Sequence, residues 1–152
     1  MTLDLQLQAS LENLPRWMEA VSIEAERVGI PQRRIREIEL ALEEALVNIV
    51  NYAYDDPGGT IRIRSCLDEA RSMWLIQIMD QGKPFDVAQA SDPDIHAPLS
   101  EREIGGLGIY LIRKLMDEVS YERSGNRNVL TLCVKLPDLT AQNASGIPEP
   151  NP

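Results

Sequence analysis

The stretch QRRIREIELALEEALVNIVNYAY, residues 32–54, decides the fold. Ile35, Ile38, Leu42, Ala45 and Ile49 step by three and four, so they draw one apolar stripe along a long helix. Asp55-Asp56-Pro57-Gly58-Gly59 ends it in a turn. Glu44 and Asn48 stand four apart on this helix, one turn from each other, on a face that Glu37 and Ala41 extend. A solvated face is the ordinary meaning of such glutamates. Asn48 points elsewhere, because asparagine is a mediocre helix former and often has a partner when it lies deep in a helix. A carboxylate and a carboxamide so placed suit a general base beside an oxygen ligand for a hard cation such as Mg²⁺.

Upstream of this helix, Leu3, Leu5 and Leu7 alternate with polar residues as a half-buried strand does. Ser10 and Asn13 are candidate helix caps, and Pro15 fits near a helix start. Leu14, Trp17, Met18, Val21 and Ala25 follow at helical spacing, and Gly29 closes the segment. Trp17 and Met18 belong to the core or to a dimer contact, the core being the simpler placement. Downstream, Ile61, Ile63 and Ser65 alternate with Arg62, Arg64 and Cys66, then Trp74, Ile76 and Ile78 with Leu75, Gln77 and Met79. Residues 68–72 join them as a hairpin. Asp80 ends the second strand in phase with its apolar row. It is either a cap for the turn at Gln81-Gly82 or a buried aspartate facing the amino group of a purine. Gly82 gives a turn that something can approach closely.

Residues 86–104 carry prolines and acids with little apolar period, and read as a long lid. Gly105-Gly106-Leu107-Gly108 then opens a helix with Ile109, Ile112, Leu115 and Met116 on one face. Backbone amides at such a helix start hold phosphate without any basic side chain, and the same glycines serve as a hinge. Val119–Arg123 and Val129–Leu136 are the last two strands, with a turn at residues 124–126. Residues 137–152 are polar and proline-rich and read as a disordered tail, which leaves one domain at 1–136. Hairpins dominate over strand–helix alternation. The expected class is therefore α+β, a two-layer sandwich of a mixed, mainly antiparallel sheet with helices on one face.

Composition narrows the chemistry. The chain has 152 residues, 43% hydrophobic and 26% charged, which suits a folded domain. Its single histidine, His96 in the lid, leaves almost no room for Ser-His-Asp or Cys-His catalysis. Cys66 and Cys133 make neither a disulfide scaffold nor a zinc site, and are expected to be packed thiols. A net charge of −9 argues against nucleic acid as partner, and a polyanion would need a local device such as helix N-termini. No apolar run is long enough to span a membrane and no leader is evident, so a cytoplasmic protein is expected.

The order of these signals is more specific than any one of them. E-x-x-x-N on a helix, D-x-G ending a strand, a lid, then G-x-G opening a helix resembles the GHKL (Bergerat) ATP-binding superfamily. Within it, residues 3–136 are similar to the anti-sigma-factor serine/threonine kinases of bacterial partner switching. The matching stretches are Leu40–Asn48, Asp80–Asp86, and Gly105–Tyr110 running into Arg113–Val119. The resemblance implies ATP and Mg²⁺ as cofactors. It makes Glu44 the general base and Asn48 the Mg²⁺ ligand. It assigns Asp80 to the adenine amino group, with Gly82 leaving room for the ring, and gives phosphate contact to Gly105, Gly106, Leu107, Gly108 and Ile109. It also implies a STAS-domain antagonist as phosphorylation substrate, a sequestered sigma factor or other regulated protein, and often a homodimer.

The chain departs from the family at four places. Tyr52 stands where histidine is frequent, Pro84 replaces the second glycine of the aspartate box, and Ile104 replaces an arginine, with Arg102 nearby. The threonine usual in the last strand gives way to Asn128 or Val129. Ile104 motivates an alternative, a nucleotide-dependent protein-binding switch without phosphoryl transfer. A histidine-kinase fragment is disfavoured by the lack of an upstream phospho-acceptor helix.

Overall fold

The computed structural model describes residues 3–84 and 106–138. The expected lid, Gly105, His96, Ile104 and the tail beyond residue 138 lie outside that range. In chain order the elements are β1 (Leu3–Gln8), a 3₁₀ turn (Leu11–Asn13), α1 (Leu14–Arg27), α2 (Gln32–Tyr52), β2 (Thr60–Asp68), β3 (Met73–Asp80), α3 (Gly106–Leu115), β4 (Glu118–Ser124) and β5 (Arg127–Lys135). The strands form one sheet in the order β1-β2-β3-β5-β4. The expectation of a mixed sheet resolves, among the described residues, to four antiparallel pairings.

Local chemistry explains the boundaries. Ser10 caps the 3₁₀ turn by accepting from the Glu12 N–H at 3.2 Å, while the Asn13 amide instead donates to the Gln8 carbonyl at 2.9 Å. Pro15 sits in the first turn of α1, where a missing N–H is harmless. Gly29 ends that segment at φ +90°, a conformation other residues rarely adopt. The long helix stops at Tyr52, two residues before the end the spacing suggests.

Strand alternation puts one row of each strand beneath the helices. Ile61 and Ile63 of β2, Trp74, Ile76 and Ile78 of β3, and Leu130, Leu132 and Val134 of β5 are buried there. Trp17 is fully buried under α1, and Met18 packs at the core's edge. α2 packs against both α1 and α3. Its buried stripe includes Ala41, so the Glu44–Asn48 face borders the core. Arg34, at the start of α2, donates to the Leu115 carbonyl at the end of α3 and to Asp117 Oδ2 at 3.0 Å. That anchor sets the two helices antiparallel and brings the start of α3 toward the middle of α2. One expectation fails: Cys66 is exposed, because it shares the outward phase of β2 with Arg62 and Arg64, whereas Cys133 is buried and its thiol pKa is pushed up chiefly by burial.

Candidate nucleotide site

The register of the sheet builds one polar row at its end. Asp80 lies opposite Asn128, and Asn128 opposite Arg123. The next row inward carries Ile78, Leu130 and Tyr121. Polar groups thus meet at the rim of an apolar slot, a layout ligand pockets commonly share.

Asp80 is only 6% exposed. It is buried and it also caps the turn. Its Oδ1 accepts from the Gly82 N–H at 2.8 Å, capping the turn, and from Asn128 Nδ2 at 2.9 Å. No described group donates to Oδ2. Asn128 is buried and fully engaged. Its second Nδ2 hydrogen goes to the Lys83 carbonyl at 2.8 Å. Its Oδ1 accepts from Tyr121 Oη at 2.6 Å and from Arg123 Nη1 at 3.0 Å. Sequence reasoning did not rank Asn128 as a site residue. A polar side chain in the apolar phase of β5 was the available signal, the same one that singled out Asp80.

Gly82 has a packing task that the sequence did not show. A Cβ there would strike the Ala53 carbonyl at the end of α2. Its smallness lets the turn dock on α2, where the Lys83 N–H reaches the same carbonyl at 2.8 Å. Tyr54 holds the arrangement from the side, accepting from the Gln81 N–H at 2.8 Å and donating to the Thr60 carbonyl at 2.7 Å. Burial first, and the nearby Asp80 charge second among the raising causes, push its phenol pKa above the usual value.

At the other end, α2 and α3 converge. Gly108 comes so near Glu44 that a Cβ on it would lie 2.6 Å from Glu44 Oε2 and 3.5 Å from Asn48 Nδ2. Glu44 is half-buried, whereas Glu43 is exposed. Among the described residues, the buried Asn48 Nδ2 has no hydrogen-bond partner. Turned about its last bond, the same amide presents its oxygen there, since nothing fixes the orientation. A carbonyl oxygen beside a carboxylate fits a hard cation. No cluster of three His, Cys, Asp or Glu side chains able to hold a metal occurs among the described residues. Mg²⁺ commonly keeps several waters and takes one or two protein ligands plus phosphate oxygens, so Asn48 beside bound phosphate is compatible with it. Ile109 is buried in the core, which leaves only its backbone to a ligand. Gly106 and Leu107 occupy the first turn of α3.

Between these ends lies a cavity of about 150 Å³. Ala45, Ile49, Ile112 and Leu130 make apolar walls, while Asn48, Asp80 and Asn128 supply polar groups. Tyr52, Ala53, Lys83, Pro84 and Tyr121 complete the lining.

Residues 7–134 match the family described as "Histidine kinase-like ATPase domain". The chain is 36% identical over 122 residues to the serine-protein kinase RsbW of Halalkalibacterium halodurans, covering 78% of this chain and 74% of that one. It is 37% identical over 93 residues to the serine/threonine-protein kinase BtrW of Bordetella bronchiseptica, covering 61% and 65%. The fold matches the crystal structure of the RsbU and RsbW domains of Rv1364c from Mycobacterium tuberculosis, with a TM-score of 0.60 at 15% identity over 89% of this chain and 33% of that one. The chain belongs to the histidine kinase-like ATPase family, and within it to the serine/threonine protein kinases of the RsbW anti-sigma type.

Proposed function

We propose that the chain is an ATP- and Mg²⁺-dependent kinase acting in the cytoplasm as an anti-sigma regulatory factor. It phosphorylates a STAS-domain antagonist and sequesters a sigma factor or another regulated protein. The observation that carries the reading is the approach of Gly108 to Glu44 and Asn48, which brings main-chain N–H groups of α3 to a carboxylate and a free amide on α2.

Each role follows from local chemistry. The first N–H groups of α3, at Gly106 to Ile109, have no partner within the helix and point at incoming phosphate. A protein of charge −9 therefore needs no lysine there. Asp80 accepts the adenine amino hydrogen on Oδ2, and the apolar walls exclude water from the base. Asn48 would hold the cation. Mg²⁺, when bound, neutralises charge on the phosphate oxygens. Glu44 takes the proton of the attacking serine or threonine hydroxyl. Phosphoryl transfer is mostly positioning and charge stabilisation, so few side chains are enough. The partner assignment rests on the resemblance of the asparagine, aspartate and glycine boxes to the anti-sigma kinases, and on the RsbW relatives. No described helix is long and apolar enough to cross a membrane.

The decisive substitution is Glu44→Ala, with ATP binding followed by calorimetry and transfer followed as label on a cognate STAS-domain protein. Binding is expected to persist while transfer falls by about 10²–10⁴, the usual worth of a general base. Transfer at the wild-type rate would remove Glu44 from that role.

A further inference from the structure

We infer that Asn128 is a positioning residue that sets which purine the pocket accepts. By saturating Oδ1 of Asp80 it confines the carboxylate to one acceptor, Oδ2. This rests on the nucleotide-site reading above.

The orientation of the Asn128 amide is fixed by its neighbours. Arg123 can only donate, so the atom it meets at 3.0 Å is the oxygen. The Lys83 carbonyl can only accept, so the atom it meets at 2.8 Å is the nitrogen. Both Nδ2 hydrogens and both Oδ1 lone pairs are thereby engaged, with a longer 3.4 Å contact from Nδ2 to the Gly82 carbonyl as a shared bond. Asn128 has nothing left to offer a base, although it lines the cavity. A threonine hydroxyl, which can rotate, would not be committed in this way. Asn128 therefore acts on a ligand only through Asp80.

The consequence concerns guanine. A carboxylate with both oxygens free can take two parallel N–H donors, as it does from an arginine fork. Guanine offers such a pair at N1 and the 2-amino group, whereas adenine offers one donor, its 6-amino group, beside an acceptor. Oδ1 of Asp80 already takes two hydrogens, from Gly82 and Asn128. Parallel docking of guanine would leave one of its donors buried and unmatched, while adenine needs only Oδ2. Placed as adenine is, guanine would set its 6-oxo oxygen against the carboxylate. Asn128 closes the first route, and the charge of Asp80 closes the second.

The test is calorimetric binding of ADP and GDP, with Mg²⁺, to wild type and Asn128→Ala. Wild type is expected to prefer ADP. The variant should narrow the ADP:GDP affinity ratio by at least about tenfold, the smaller end of what an unmatched buried donor is worth, through a gain in GDP binding. A variant that is folded by circular dichroism yet weakens both nucleotides in proportion would make Asn128 merely structural and overturn the inference. Wild type that binds GDP as well as ADP would also overturn it, with the nucleotide site left standing. Wild type that binds neither would overturn the site reading and the inference together. Should Asn128→Ala not fold, Asn128→Val, whose branched side chain suits a strand, gives the same readout with the same criteria.

Discussion

Asn48 and Asn128 line one cavity, and their surroundings treat the two amides in opposite ways. Asn128 uses every donor and acceptor it has. Asn48 has a buried nitrogen with no partner among the described residues. A buried donor left unmatched costs about 1–3 kcal/mol, so folded proteins keep few of them. The base end of the pocket is thus complete before anything binds, its carboxylate held by Gly82, Asn128 and the Arg123–Tyr121 pair behind them. The end proposed for phosphate keeps an amide nitrogen unmatched among the described residues. On the proposed reading, recognition rests on the sheet, and chemistry on an unmet bond between two helices.

The largest expected effect breaks the complete end. In Asp80→Asn the amide oxygen must keep the Oδ1 position, because Gly82 and Asn128 both donate there. The new NH₂ then faces the cavity where the carboxylate's free acceptor was, and meets the base's own amino group. Affinity for ADP should fall about 10–100-fold, since a buried hydrogen bond to a charge is replaced by two opposed donors. The fold should be little disturbed, because the turn keeps its acceptor. Calorimetry with a thermal melt on the same sample checks both halves. A variant that binds ADP normally would remove Asp80 as the reader of the base.

The incomplete end predicts the reverse balance. Asn48→Leu removes the unmatched amide and puts a better helix former in α2. The ligand-free protein should gain about 1 kcal/mol, which is roughly 2–4 °C in Tm for a domain this size. The Mg²⁺-dependent part of ADP affinity should be lost. Asn128→Ala should lower Tm instead, because it strands the Lys83 carbonyl and removes the acceptor that Arg123 reaches at 3.0 Å. Two asparagines lining one cavity would then shift stability in opposite directions. Equal losses at both positions would erase the contrast.

How much of this was legible beforehand depends on range along the chain. Periods of 3.6 and 2 placed both main helices, the third helix and all five strands, because those patterns are local. Glu44 and Asn48 were legible for the same reason, being one helical turn apart. Asp80 was legible from its phase in β3. What Asp80 touches was not, because the pairing of residue 80 with residue 128 depends on register between strands far apart in sequence. The same gap hid the close packing of Gly82 on Ala53. Cys66 failed for a simpler reason. Its outward phase beside Arg62 and Arg64 was visible, and the general tendency of thiols to be buried was given more weight than that phase.

The smallest effect tests the complete end from outside the cavity. Tyr54 bridges the Asp80–Gly82 turn to the start of β2 through Gln81 and Thr60. Its folded pKa lies above the ordinary tyrosine value, from burial first and then from repulsion by Asp80. The folded protein therefore holds the phenol proton more tightly than the unfolded chain does. Its contribution to stability is fully present below about pH 10, the unfolded value, and is lost as pH rises through the raised folded value. Solvent reaches this side chain, so screening keeps the contribution small. Denaturant melts between about pH 8 and 11 should show wild type losing stability faster than Tyr54→Phe on the alkaline side, with the two curves parallel at neutral pH. Other tyrosines and the lysines titrate in both proteins and cancel in the difference. Parallel curves throughout would mean that ionising Tyr54 leaves the turn unaffected, and that the base end is held by Asn128 and Gly82 without help from this side.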